Sequence, residues 1–230
     1  MVRLILLGLL GGWTLTWALQ APLRPALAER DAITHATVHV SGTACGQFSE
    51  GDGVVVQPSL VITNAHVVAG VDTITIKTVD GDSTTGMLVG FDPGRDVAAI
   101  AVPNLGVMPV KLASTASVEL DGDVVVFDPD IPDTGLRFVP FHTTRRVWDT
   151  GRDIYDAEIE GRSLLEIRSE LAAGDSGAGL VNSAGELMGM FFALVSGQSN
   201  EGYALEAAEI AAFLAEVEHE PLSTPPCRVR

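Results

Sequence analysis

Basic charge is scarce in this chain. Its 230 residues carry 14 lysines and arginines against 30 acids, a formal charge of −16. Such an excess repels nucleic acid and anionic lipid headgroups, so neither is an expected partner. Its plainest use is to keep an exported surface soluble. Charge of both signs together is modest, at 19% of residues, while 47% are hydrophobic, which excludes disorder over the body of the chain. Aromatic residues make up only 6%, whereas glycine numbers 24 and runs rich in Val, Ile and Thr recur at short intervals. That mixture favours a β-rich globular fold. Tandem repeats are absent, and no charge run is long enough to serve as a linker.

Cysteine is scarcer still. Cys45 and Cys227 lie near the two ends of the body and allow at most one bridge. In an oxidising compartment an even pair predicts a disulfide tying the C-terminal tail to the start of the domain; two free thiols are the alternative. The compartment is indicated by the one long uncharged run, "LILLGLLGGWTLTWALQAPL" at 4–23, which follows "MVR" and precedes "PALAER". It reads as a signal peptide cleaved after Ala28, or as a retained anchor, since about 20 apolar residues can just span a bilayer. Either way residues 1–28 are set apart and 29–230 are exported, to a secreted or cell-envelope location. Any membrane contact runs through that N-terminus. Cleavage would remove Arg3 and Arg24 but no acid, leaving a still more acidic body.

From about Ile33 the chain alternates short apolar runs with turn residues. "ATVHVSG" is a first strand, followed by the Gly-rich segment "CGQFSEGDG" and then "VVVQ", "LVITN", "DTITIKTV", "TTGMLVGF" and "DVAAIAV". A second group runs from "DVVVFD" to "EGYALE". About twelve strands at this spacing predict two small barrels or sandwiches, near 33–115 and 116–206. "EAAEIAAFLAEVEHE" then sets Ala207, Ile210, Phe213, Leu214 and Val217 at helical spacing, predicting an amphipathic helix over 207–218 that Pro221 ends.

Chemistry concentrates in "LAAGDSGAGLVN", Leu171–Asn182, where small residues surround Ser176. A serine hydroxyl is a poor nucleophile unless a base lies in reach and a third group orients that base. Of five histidines, His66 in "LVITNAHVVAG" ends an apolar strand and is held on a rigid edge. His35 and His39 lack the companions a metal would need, and His142 and His219 sit in loop or tail contexts. Asp96, in "DPGRDVAAIAV", opens an apolar strand, where a partly desolvated carboxylate can hold an imidazole; Asp92 is the rival, within a Pro-Gly turn. The order His, Asp, Ser argues against an α/β-hydrolase, whose acid and histidine follow a G-x-S-x-G serine. Here Ala178 stands in the last glycine's place, and His219 is the one histidine after Ser176.

"TNAHVV", "RDVAAI" and "GDSG", in that order, resemble the trypsin/chymotrypsin class of serine proteases. The short spacings between them resemble its HtrA-like branch, and "NEGYALEAAEI" is similar to membrane-tethered actinobacterial proteases of the MarP type. The resemblance covers roughly Thr37–Glu218. It implies an all-β fold of two six-stranded antiparallel barrels with a short C-terminal helix. It further implies an exported serine endopeptidase, with His66, Asp96 and Ser176 as catalytic triad and Gly174 and Ser176 as oxyanion donors. Protein or peptide substrates follow, with no cofactor and no metal. Pocket walls are implied around Glu170, Ala172, Phe192, Ala193 and Gly202, and they predict a modest apolar pocket; Glu170 alone would point to a basic substrate residue. Asp175, which in the wider family often pairs with a new N-terminal amine, is expected to make a structural hydrogen bond. Two departures stand out: "GDSGAG" replaces the usual "GDSGGP", and about 12 residues after the helix leave no room for a PDZ domain. A protease-like binding module without turnover is the alternative function. Oligomeric state is not legible.

Overall fold

A computed structural model describes residues 27–114, 121–132, 134–198 and 200–228. The leader expected over 1–28 lies, except for its last two residues, outside this range. Among the described residues no helix is long and apolar enough to cross a membrane. The chain forms two closed antiparallel six-stranded barrels, as the resemblance implied.

Barrel 1 comprises β1 (Thr37–Ala44), β2 (Gln47–Gln57), β3 (Leu60–Thr63), β4 (Ile74–Thr78), β5 (Ser83–Asp92) and β6 (Val97–Ala101), closed in the order β1-β2-β3-β6-β5-β4. Barrel 2 comprises β7 (Asp121–Phe127), β8 (Leu136–Asp149), β9 (Arg162–Ser169), β10 (Gly179–Val181), β11 (Leu187–Leu194) and β12 (Glu201–Glu206), closed as β10-β11-β12-β9-β8-β7. Closure removes the sticky strand edges that open sheets must protect.

Among the described residues three helices complete the fold: α1 (Leu27–Ala36), α2 (Ala65–Val68) and α3 (Ala207–Glu216). The first was not expected, since strands were read from about Ile33 onward. Ile33 is instead helical and fully buried in the barrel 1 core. Helix α3 stops two residues short of the expected end and buries Ala207, Ile210 and Phe213, as its spacing predicted.

A larger difference lies in β2. The Gly-rich segment "CGQFSEGDG", given no element of its own from the sequence, is from Gln47 continuous strand, paired with β1 from Thr37↔Val54 to Ala44↔Gln47. Its glycines are there for close approach. A Cβ on Gly51 would lie 2.6 Å from the Ser176 carbonyl oxygen, and one on Gly53 would lie 2.8 Å from Val61 Cγ1.

The core of barrel 1 extends across the junction to residues of barrel 2. Along β7, Val124 and Val126 fill the interior of barrel 2, while Val125 and Phe127 point the other way, into a cluster continuous with barrel 1. This is the strand's two-residue period with both faces buried. The connecting segment stitches the halves together: Val110 N–H donates to Val55 O (2.9 Å), and Ala113 N–H to Leu187 O (2.8 Å).

Candidate active site

The site begins with a strand that ends in a single helical turn. β3 delivers Thr63 and Asn64, both fully buried, and α2 follows with His66 in its first turn. His66 Nδ1 lies 2.7 Å from Asp96 Oδ2, with side chains 16% and 6% exposed. The backbone N–H of His66 donates to Asp96 Oδ1 at 2.9 Å, so both carboxylate oxygens serve one residue.

Asp96 adopts a left-handed backbone, φ +56°, which costs a non-glycine residue energy. The surroundings hold it there: besides the two bonds to His66, Asn64 Nδ2 donates to Asp96 O at 3.0 Å. Asn64 was not singled out in the sequence, although it precedes the histidine directly. Its Oδ1 is buried without a hydrogen-bond partner among the described residues. That is a cost accepted for holding the Asp96 peptide. The rival Asp92 is occupied elsewhere, by Arg95 at 2.7 Å.

Ser176 comes from barrel 2, in the tight turn before β10. Asp175 closes that turn: its Oδ2 accepts from Ala172 N–H (2.8 Å), and Ala178 N–H donates to Asp175 O (3.1 Å). The Asp175 carboxylate, nearly buried, is paired with Arg137 Nη2 at 3.0 and 3.1 Å. It therefore makes the side-chain hydrogen bond expected of it, with a cation the sequence alone did not reveal. Gly174 takes φ +107°, and a Cβ there would meet nothing within 4 Å. Its glycine is needed for backbone conformation, not for space. Asp175 and Gly177 donate their N–H groups inward, to Ala172 O and Phe191 O, whereas Gly174 N–H and Ser176 N–H make no backbone hydrogen bond among the described residues.

The departures from "GDSGGP" are explained by packing. Ala178 is fully buried in the barrel 2 core. At Gly179 a Cβ would lie 2.8 Å from Leu187 Cδ1 and 2.9 Å from Val54 Cγ2, so a larger residue would force those side chains to shift.

His66, Asp96, Gly174 and Ser176 all line one open cleft of about 880 Å³, as do Ala172, Phe192 and Ala193. Two residues assigned to the pocket by resemblance do not: Glu170 is exposed outside the cleft, and Gly202 is buried beside the Phe191 ring. Arg162 enters unannounced. Its side chain is 8% exposed, held by Asp149 Oδ2 (3.0 Å) and Gly94 O (2.9 Å), and its guanidinium lies 4.8 Å from the Phe192 ring centroid. A buried cation on an aromatic face fixes that wall of the cleft.

Cys45 and Cys227 also line the cleft, joined as the predicted disulfide across 182 residues, with Cα atoms 6.3 Å apart. No group of three or more His, Cys, Asp or Glu suited to a metal occurs among the described residues. His39, considered above, stacks on Phe127 at 5.4 Å with its Nε2 3.5 Å from Glu50.

Residues 51–190 match the family model described as trypsin-like peptidase domain. The serine protease Rv3671c of Mycobacterium tuberculosis is 34% identical over 186 residues, which is 80% of this chain and 46% of that protein. The serine endoprotease DegS of Escherichia coli is 32% identical over 154 residues, 66% of this chain and 41% of that protein. The chain thus spans under half the length of these curated relatives. Among solved structures, the active form of the Rv3671c protease from M. tuberculosis superposes with TM-score 0.78 at 30% identity, covering 91% of this chain and 97% of that one.

Proposed function

The chain belongs to the trypsin-like peptidase family, and we propose on that basis that it is an exported serine endopeptidase working through an acyl-enzyme on Ser176. The observation that carries this is the Asp96–His66 contact of 2.7 Å in the cleft that Ser176 also lines. With Nδ1 engaged by the carboxylate, the imidazole keeps Nε2 for the nucleophile. In this mechanism His66 Nε2 takes the Ser176 Oγ proton as the oxygen attacks a peptide carbonyl, then delivers it to the departing amine. Water repeats the sequence to release the acid. Asp96 stays ionised throughout and stabilises the imidazolium. The N–H groups of Gly174 and Ser176 receive the oxyanion, a contribution of about 10²–10³ in rate per donor.

A fluorophosphonate probe tests this directly. It should label the folded protein stoichiometrically at Ser176 and leave Ser176→Ala unlabelled. Absence of labelling on folded wild-type protein would favour the alternative, a protease-like binding module of the cell envelope. Export is supported by the uncharged run at 4–23, and N-terminal sequencing of the mature protein distinguishes cleavage after Ala28 from retention.

The cleft also proposes a substrate preference. Ala172, Phe192 and Ala193 offer an apolar wall, Glu170 stands outside, and Arg162 already places a cation against Phe192. Cleavage after small apolar residues should exceed cleavage after Lys or Arg by at least about tenfold in kcat/KM, because the wall at Phe192 is apolar and already carries the Arg162 cation, which repels a second one. A library of peptides varied at that residue measures it; equal rates for basic and apolar residues would reject the apolar assignment.

A further inference from the structure

The two halves of the site stand on different barrels: His66 and Asp96 on the first, Gly174 and Ser176 on the second. Whatever fixes the register between barrels also fixes the distance from base to nucleophile. Asp52, 1% exposed in the middle of β2, touches both sides. Its N–H donates to Ser176 O at 2.6 Å. Its C=O accepts from Thr63 Oγ1 at 2.6 Å, three residues before His66. Its Oδ2 accepts from Phe127 N–H of β7 at 3.1 Å. The fit leaves no slack, since a Cβ on Gly177 would collide with the Asp52 carbonyl.

We propose that Asp52 is a positioning residue for the peptidase reaction, its peptide group and side chain together locking Ser176 of barrel 2 at a set separation from His66 of barrel 1. The inference rests on the function proposed above. Asp52 was not singled out in the sequence.

Burial favours the neutral form of this carboxyl. Around this carboxyl stand Asp175, Asp128 and Arg137, with His39 opposite on β1 and Glu50 two residues back along β2. Arg137 is committed to Asp175 and, at 3.6 Å, to Asp128. Burial pushes the Asp52 carboxyl well above the ordinary carboxylate range; the Phe127 N–H opposes this, and Asp175 reinforces it. A protonated carboxyl still presents its carbonyl oxygen to Phe127. Because the folded state binds this proton more tightly than the unfolded chain, the stability it contributes is fully present below the unfolded value of about 3.9 and is lost as pH rises through the folded one. Asparagine keeps the acceptor and removes the titration.

The test compares wild type, Asp52→Asn, Asp52→Ala and Thr63→Val for kcat, KM and thermal unfolding from about pH 4 to about pH 9. Asp52→Ala should lose up to about 10² in kcat with KM nearly unchanged, as expected when reacting groups are misplaced by a fraction of an ångström. Thr63→Val, a near-isosteric change that serves if Asp52→Ala does not fold, should lose about tenfold in kcat in the same way. Asp52→Asn should keep kcat within about threefold and lose less thermal stability than wild type as pH rises. Unchanged kcat in Thr63→Val, or Asp52→Asn as impaired as Asp52→Ala, would overturn the proposal. Amide hydrogen exchange at Gly177 supplies a readout independent of turnover: faster exchange in Asp52→Ala but not in Asp52→Asn supports the lock. Should wild type be inactive, that difference retains the lock while the peptidase reading falls, and its absence removes both.

Discussion

Asp96→Asn is expected to lower kcat by about 10⁴ while leaving KM and the fold nearly intact. The reason lies in which atom faces His66 Nδ1. In the native site a carboxylate oxygen, which can only accept, sits 2.7 Å away, so Nδ1 carries the hydrogen and Nε2 is left for Ser176. The other oxygen accepts the His66 backbone N–H at 2.9 Å, and in the variant the amide oxygen satisfies that bond. The amide NH₂ is then left facing Nδ1, which must become the acceptor. The hydrogen moves to Nε2, and the imidazole can no longer take a proton from Ser176. Backbone strain does not confuse the experiment, because asparagine tolerates the left-handed conformation at φ +56° at least as well as aspartate. Single-turnover acylation kinetics would show the loss, and a fall of less than about tenfold would mean that some other group orients the imidazole.

The second large effect concerns stability. Replacing Cys45 and Cys227 together by serine should cost about 2–5 kcal/mol, near the upper end if chain entropy alone governs a loop spanning 182 residues. That corresponds to a Tm lower by about 10 °C for a domain of this size. What remains of the C-terminal strap is thin: Pro225 O accepts from Gly70 N–H (3.1 Å), Pro226 O from Tyr155 Oη (2.8 Å), and Leu222 N–H donates to Leu88 O (2.8 Å). Gly70 shows how tightly the bridge is seated, for at φ +75° a Cβ would lie 2.9 Å from Cys45 Sγ. Thermal unfolding under matched conditions measures the cost, and an unchanged Tm would show that the strap holds without its covalent link. Both cysteines also line the cleft, so the variant's KM should rise as that edge loosens.

Much of this architecture was legible because it obeys simple periods. Alternating apolar residues marked most strands, and three short motifs in a fixed order singled out His66, Asp96 and Ser176, which line one cleft. The failures share one physical origin. Gly51 and Gly53 signal a turn in isolation, but they serve to let another backbone come close, a purpose that only tertiary contact reveals. Arg137 and Arg162 look like solvent-facing strand residues until Asp175 and Phe192, distant in sequence, are brought beside them. Helix α1 escaped notice because "LAERDAITHA" runs without a break into β1. Glu170 and Gly202 were assigned to the pocket by analogy with other chains, but Glu170 stands exposed outside the cleft and Gly202 is buried on β12.

The doubly apolar face pattern of β7 has a consequence for how the molecule holds together. Separated from its neighbour, barrel 2 would leave Val125, Phe127 and Leu187 wetted, and barrel 1 would lose the cover over its own valines. Neither half is a self-sufficient unit, so heating should dismantle them in one concerted event. A chain severed between Val102 and Asp121 would yield adhesive fragments in place of two working modules.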